Sequence, residues 1–167
     1  MRKELPQRLV QELLKNSKRS DRKLAKVLGV SQPTVTRTRH KLEREGVILD
    51  YTIVPDFEKM GFEIFAMTFV KMRADILIGE TMKKAKEYAA KFPNVIFAHS
   101  GSGLGMTGVI ISLHKNYTEY HQQLNKMRVD LKEITEDIQS FVIAVGEGEY
   151  KRCSLTYLGD APLESLG

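Results

Sequence analysis

Between Leu24 and Val35 two helix-like apolar patterns meet across a single glycine, and that spacing restricts the fold more than any other feature of the chain. Leu24, Ala25, Val27 and Leu28 form the first pattern, after Ser20 or Asp21 as an N-cap. Gly29 stops it, Val30 follows, and Ser31 offers a second cap. Pro33 falls in the first turn of the next helix, where its missing N–H costs little. That helix is expected from about Gln32 to Glu45, ending at Gly46. Two short helices joined by a tight glycine-containing turn are a helix-turn-helix. The close crossing asks for a small residue and an apolar plug, which Ala25 and Val30 supply. Upstream, Leu5, Leu9, Val10, Leu13 and Leu14 fall on one stripe of a further helix, interrupted by Asn16–Ser20.

A helical wheel of residues 32–45 turns Val35 and Leu42 inward, with Thr38 beside them. Outward lie Pro33, Thr36, Arg37, His40, Lys41 and Arg44, a face suited to a major groove. Gln32 and Thr34, at the helix start, are placed where base contacts concentrate. Arg22 and Lys23, with Arg19 and Ser20, flank the N-terminus of the preceding helix, whose unpaired N–H groups favour a phosphate. Charge agrees: residues 1–50 hold 13 Lys/Arg against 6 Asp/Glu, a net +7. Residues 51–167 hold 13 against 15, a net −2, so the chain's +5 is concentrated in the head. A basic head on a near-neutral body fits a polyanionic partner, since neutralising phosphates releases counterions. The residue reading is therefore Gln32, Thr34, Thr36, Arg37, His40 and Lys41 on bases, with Arg22, Lys23 and Arg44 on phosphates of double-stranded DNA.

The stretch Leu24-Ala25-Lys26-Val27-Leu28-Gly29-Val30-Ser31-Gln32-Pro33-Thr34-Val35, with Lys41-Leu42-Glu43-Arg44-Glu45-Gly46-Val47-Ile48, resembles the Lrp/AsnC (feast/famine) transcriptional regulators. The resemblance implies a winged helix-turn-helix head followed by a ferredoxin-like body, and a regulator rather than an enzyme. It differs at Thr38-Arg39, where that family usually carries an arginine followed by an apolar residue. Residues 1–50 are read as the DNA-binding head and 51–61 as the hinge. Residues 62–167 are read as the body for oligomerisation and effector binding.

The β-branched run Val47–Val54, which crosses from head into hinge, is expected to be a strand. The resemblance implies that this strand pairs across a dimer. A turn with a short helical piece follows from Pro55 to Gly61. The body reads strand 62–73, helix 78–92, strand 95–100, strand 106–113, helix 116–131 and strand 138–146. This βαββαβ order is the α+β ferredoxin-like plan, with both helices on one face of the sheet. The helices are expected to pack through Met82, Ala85, Tyr88 and Ala89, and through Tyr117, Tyr120, Leu124 and Met127.

Strand 62–73 is apolar on both sides: Phe62, Ile64, Ala66, Val70 and Met72 alternate with Phe65, Met67 and Phe69. Strand 138–146 repeats this, with Val142 and Ala144 against Phe141, Ile143 and Val145. A sheet with helices on one face should be polar on the other, so something covers it. A second copy of the sheet gives a two-fold homodimer, which would also duplicate the head as palindromic half-sites require. Whether dimers assemble further into tetramers or octamers stays open, and the alternative cover is the chain's own Cys153–Leu158.

Ser100-Gly101-Ser102-Gly103-Leu104-Gly105 lacks the Gly-Lys-Ser/Thr ending of a phosphate loop and precedes a strand, so a tight β-turn is the plainer reading. The resemblance implies a small-molecule effector, such as an amino acid, bound between dimers near this turn. Gly101, Ser102, Gly103, Leu104 and Gly105 are the candidate residues; no acidic residue stands between Ser100 and Val109 to receive an amino group. Backbone N–H groups there would suit a carboxylate or another anion.

His40, His99, His114 and His121 show no metal spacing, and no nucleophile–base set can be assembled, so no metal, cofactor or catalytic residue is expected. The enzymatic alternative is a sirohaem decarboxylase, a family similar in layout. Its Arg/His-rich stretch is represented here only by His99, His114 and Lys115. One cysteine excludes an internal disulfide framework, and no apolar run approaches the roughly 20 residues that span a bilayer. Met1–Pro6 leads into an amphipathic pattern and not a signal-peptide core, so a cytoplasmic protein is expected.

Overall fold

In the computed structural model, residues 4–74 and 78–162 are described. The reading of Met1–Lys3 as a lead-in to the first helix lies outside them. The chain divides into two compact units, Met1–Val54 with Lys151–Gly167, and Pro55–Tyr150.

The first unit holds α1 (Leu5–Lys15), α2 (Asp21–Leu28) and α3 (Gln32–Arg44). Their boundaries have local causes. The Ser20 and Ser31 hydroxyls accept from the Lys23 and Thr34 N–H groups, capping α2 and α3. Gly29 ends α2 in the left-handed conformation, φ 71°, where a side chain would be strained. Leu9, Leu13, Leu24, Ala25, Leu28, Val35 and Leu42 close a single core, with Leu5, Val10, Val30 and Ile48 at its margin.

A 3-10 helix at Leu155–Asp160 completes this unit by packing on α1. Ser154 caps it, accepting from the Thr156 N–H at 3.0 Å. Gln11 donates its side-chain amide to the Ala161 carbonyl at 2.8 Å, and Lys15 pairs with Asp160 at 2.8 Å. Cys153–Leu158 therefore belongs to the head's own unit.

The expected strand Val47–Val54 is a correction. It has no ladder partner among the described residues, and a strand exists only through pairing. Leu49 is 90% exposed and Ile53 79%.

The second unit contains β1 (Ile64–Met72), α4 (Ile78–Ala89), β2 (Val95–Gly103), β3 (Met106–His114), α5 (Tyr117–Asp130) and β4 (Thr135–Ala144). The sheet order is β2-β3-β1-β4 and every pairing is antiparallel, the ferredoxin-like arrangement expected. Ala66, Val70, Tyr88, Tyr120, Leu124, Met127, Leu131, Ile134 and Ile138 form its core. Two inward expectations are corrected: Met82 is 45% exposed and Tyr117 60%. Tyr117 is the first residue of α5 and escapes the core, whereas Tyr88, Tyr120, Leu124 and Met127 are buried.

On the opposite face the register sets Phe65 between Leu113 and Ile143, and Met67 between Ile111 and Phe141. Phe69 lies beside Val109, and Phe97 beside Ile111. Leu113 is buried, but Phe141 is 63% exposed, so an aromatic and aliphatic face meets solvent in the single chain.

Candidate nucleic-acid interface

The sequence-chosen residues of the head lie on α3 and in the first turn of α2. Gln32, Arg37, His40, Lys41 and Arg44 are exposed along α3, and Arg22 and Lys23 are exposed in the first turn of α2. Neither Arg37 nor Arg44 has an ion-pair partner among the described residues. Lys41 is held only loosely, 3.7 Å from Glu45 one turn on. Side-chain cations facing water can neutralise phosphate without first breaking an internal pair. Arg19 is different, because it is bound to Glu12.

Thr34 and Thr36 are half-buried, and their hydroxyls are already engaged. The Thr34 hydroxyl meets that of Ser31 at 2.8 Å. Thr36 donates to the Asp21 carboxylate at 2.7 Å and lies 3.1 Å from the Gln32 carbonyl. Thr38, beside the buried Val35 and Leu42, donates to the Thr34 carbonyl at 2.8 Å.

Sequence reasoning missed the group behind this face. Arg39 pairs with Asp21 at 2.6 Å and lies over the Tyr51 ring, 5.6 Å from its centroid. Tyr51 donates its hydroxyl to Glu43 at 2.7 Å. Burial and that bond push the Tyr51 hydroxyl above its usual range. The available signal was an arginine near Val35 and Leu42 on the inner side of α3, since a charge there needs a partner.

The glycine-rich segment is corrected in part. Ser100–Gly103 belongs to β2, and only Leu104-Gly105 turns the chain, with φ 54° and 72°. Gly103 pairs with Met106 across this two-residue turn, which has the left-handed geometry that suits a twisted hairpin. Gly101, Ser102, Gly103, Leu104 and Gly105 are all exposed.

No group of three or more His, Cys, Asp or Glu among the described residues could hold a metal ion. His114 is buried, and its ring contacts the Ser112 hydroxyl at 2.8 Å and the Asn94 amide at 3.4 Å. Tyr120 packs edge-on against it. This is a satisfied structural histidine.

Residues 2–48 match the family described as winged helix-turn-helix DNA-binding. An uncharacterised HTH-type transcriptional regulator of Pyrococcus furiosus is 36% identical over 95 residues, covering 57% of this chain and 62% of that one. The HTH-type transcriptional regulator LrpC of Bacillus subtilis is 27% identical over 95 residues, with the same two coverages. The chain thus spans less than two thirds of the length of these relatives. The fold reaches further. An AsnC family transcriptional regulator from Agrobacterium tumefaciens superposes with a TM-score of 0.75 at 20% identity, over 88% of this chain and 91% of that one. A transcriptional regulator from Neisseria meningitidis, solved as a complex with L-Met, gives 0.73 at 15% identity over 92% and 97%.

Proposed function

From its likeness to the Lrp/AsnC regulators, in sequence at the head and in fold over most of the chain, we infer that this protein is a sequence-specific DNA-binding transcriptional regulator. The observation that carries the reading is the exposed basic face of α3 and the start of α2, on a helix-turn-helix whose caps and core are intact. Gln32, Arg37, His40 and Lys41 reach base edges, and Arg22, Lys23 and Arg44 grip phosphate. Thr34 and Thr36, with hydroxyls bonded inside the head, offer methyl groups of the kind that meets thymine. The relatives found carry regulator names, and nothing among the described residues favours the sirohaem decarboxylase.

The working form is a homodimer. Its support is the apolar sheet face around Phe65, Met67 and Phe141, together with the unpaired Val47–Val54, which a second copy would supply with a ladder. Stacking of dimers into tetramers or octamers follows the same family reading. No helix among the described residues is long and apolar enough to cross a membrane, and we place the protein in the cytoplasm with its DNA.

A small effector bound between dimers, near Gly101, Ser102, Gly103, Leu104 and Gly105, is the proposed control. The L-Met bound by the Neisseria regulator makes an amino acid the first candidate. Selection from a random duplex library, with sequencing of the bound fraction, tests the central reading. A palindromic motif is expected; a bound fraction as random as the input would refute it.

A further inference from the structure

We propose that Arg39 is a positioning residue for base reading: it fixes α3 against α2 through Asp21, and against the segment leaving the head through Tyr51. The proposal rests on the DNA reading of the same helix and names a residue outside the contact face.

Arg39 lies between Val35 and Leu42 in sequence, on the side of α3 that turns into the head, and its side chain is only 16% exposed. A guanidinium held there needs compensation. Asp21, the first residue of α2, supplies it at 2.6 Å, with its own side chain 21% exposed. The other Asp21 oxygen accepts from Thr36 at 2.7 Å. One carboxylate therefore ties the α2 start to two successive points of α3, three residues apart.

The second tie runs through Tyr51. Its ring lies beneath the Arg39 guanidinium, and its hydroxyl is 3.5 Å from Nη1. The same hydroxyl donates to Glu43, one turn further along α3. The Arg39 Nε has no acceptor among the described residues, so Asp21 and Tyr51 are what the head provides for this charge. Arg37, Lys41 and Arg44 lie on the opposite, exposed side of the helix. Their reach into a groove depends on how α3 is rolled, and a small misplacement of a bidentate donor loses the base contact while leaving phosphate attraction in place.

The test uses the full chain, with duplexes taken from the library selection and a random duplex as reference. Arg39→Met should lower the ratio of specific to random affinity roughly tenfold while leaving the slope against log salt unchanged. Asp21→Asn should give a similar loss, and the double variant should add little to either, because both remove one tie. Arg39→Lys should restore part of the ratio.

Three results would overturn the proposal. A slope reduced by about one, with all duplexes weakened alike, would make Arg39 a phosphate contact. A lower melting temperature with an unchanged ratio would make it merely structural. Full affinity and full ratio would make the pair idle. If Arg39→Met does not fold, Tyr51→Phe keeps the ring beneath the guanidinium and drops the hydroxyl. A lowered ratio in that variant supports the positioning role, and an unchanged ratio refutes it. Failure of the DNA reading itself is recognisable separately, as wild-type protein that enriches no motif.

Discussion

Gly159 lies so close to Lys15 that a Cβ on the glycine would stand 2.5 Å from the Lys15 Cγ and 2.9 Å from the Gln11 carbonyl oxygen. The 3-10 helix is thereby seated on α1 where only a glycine fits, and the Lys15–Asp160 pair closes beside it. Gly159→Val should lift the segment off α1 and cost about 1–3 kcal/mol. Asp160→Ala should cost under about 1 kcal/mol, because the carboxylate is largely exposed. Thermal melting ranks the two; an Asp160 effect larger than that of Gly159 would contradict the packing account.

His114 makes the second unit sensitive to acid. Burial holds its imidazole below the ordinary 6.5, with the Glu119 charge pulling weakly upward. An unfolded histidine takes up a proton near pH 6.5 while the folded one still refuses it. Unfolding then binds a proton, so stability is lost as pH falls below that value and is unaffected above it. Melting temperatures between pH 8 and pH 5 should fall less steeply in His114→Gln than in the native protein. Parallel profiles would assign the acid response to other groups.

Phe141→Lys places a charge in the exposed apolar sheet face, opposite Met67. If that face is the dimer interface, light scattering should show monomers, since a lysine there leaves an unpaired charge to desolvate. Phe69→Lys, on the same side of β1, should act in the same direction. A dimer that persists in both variants would move the interface elsewhere.

Arg37→Ala removes an exposed guanidinium from the middle of α3. Loss of a base contact should weaken the selected duplex by about 1–3 kcal/mol and relax preference at one position. Equal weakening on every duplex would reassign Arg37 to phosphate.

Much of the head was legible because its determinants are local. Ser20, Gly29 and Ser31 specify helix ends within a few residues, and the spacing of Leu24, Val35 and Leu42 marks the buried side. What escaped depends on partners distant in the chain. Val47–Val54 announces extended backbone, but no composition says what it pairs with. The glycines at 101 and 103 read as a loop, and β3 makes them part of a hairpin arm. Gly159 looks like an ordinary turn residue until Lys15, 144 positions earlier, occupies the space beside it.

The candidate DNA face was readable as a list of outward residues, and less so as roles. A helical wheel puts Thr36 outside, yet its hydroxyl turns to Asp21, fifteen residues back. The same wheel gives no reason for Arg39 until Asp21 and Tyr51 are seen beside it. Met82 and Tyr117 fit their stripes yet are exposed, and a periodicity cannot show which turns of a stripe the core reaches.

The most direct test of the central claim is a fluorescence-anisotropy titration of the full chain against its selected duplex and a scrambled one, at two salt concentrations. A base-reading head predicts a ratio of affinities of at least about a thousandfold, with both binding curves weakening steeply as salt rises. Equal, weak affinity for the two duplexes at both salts would contradict it.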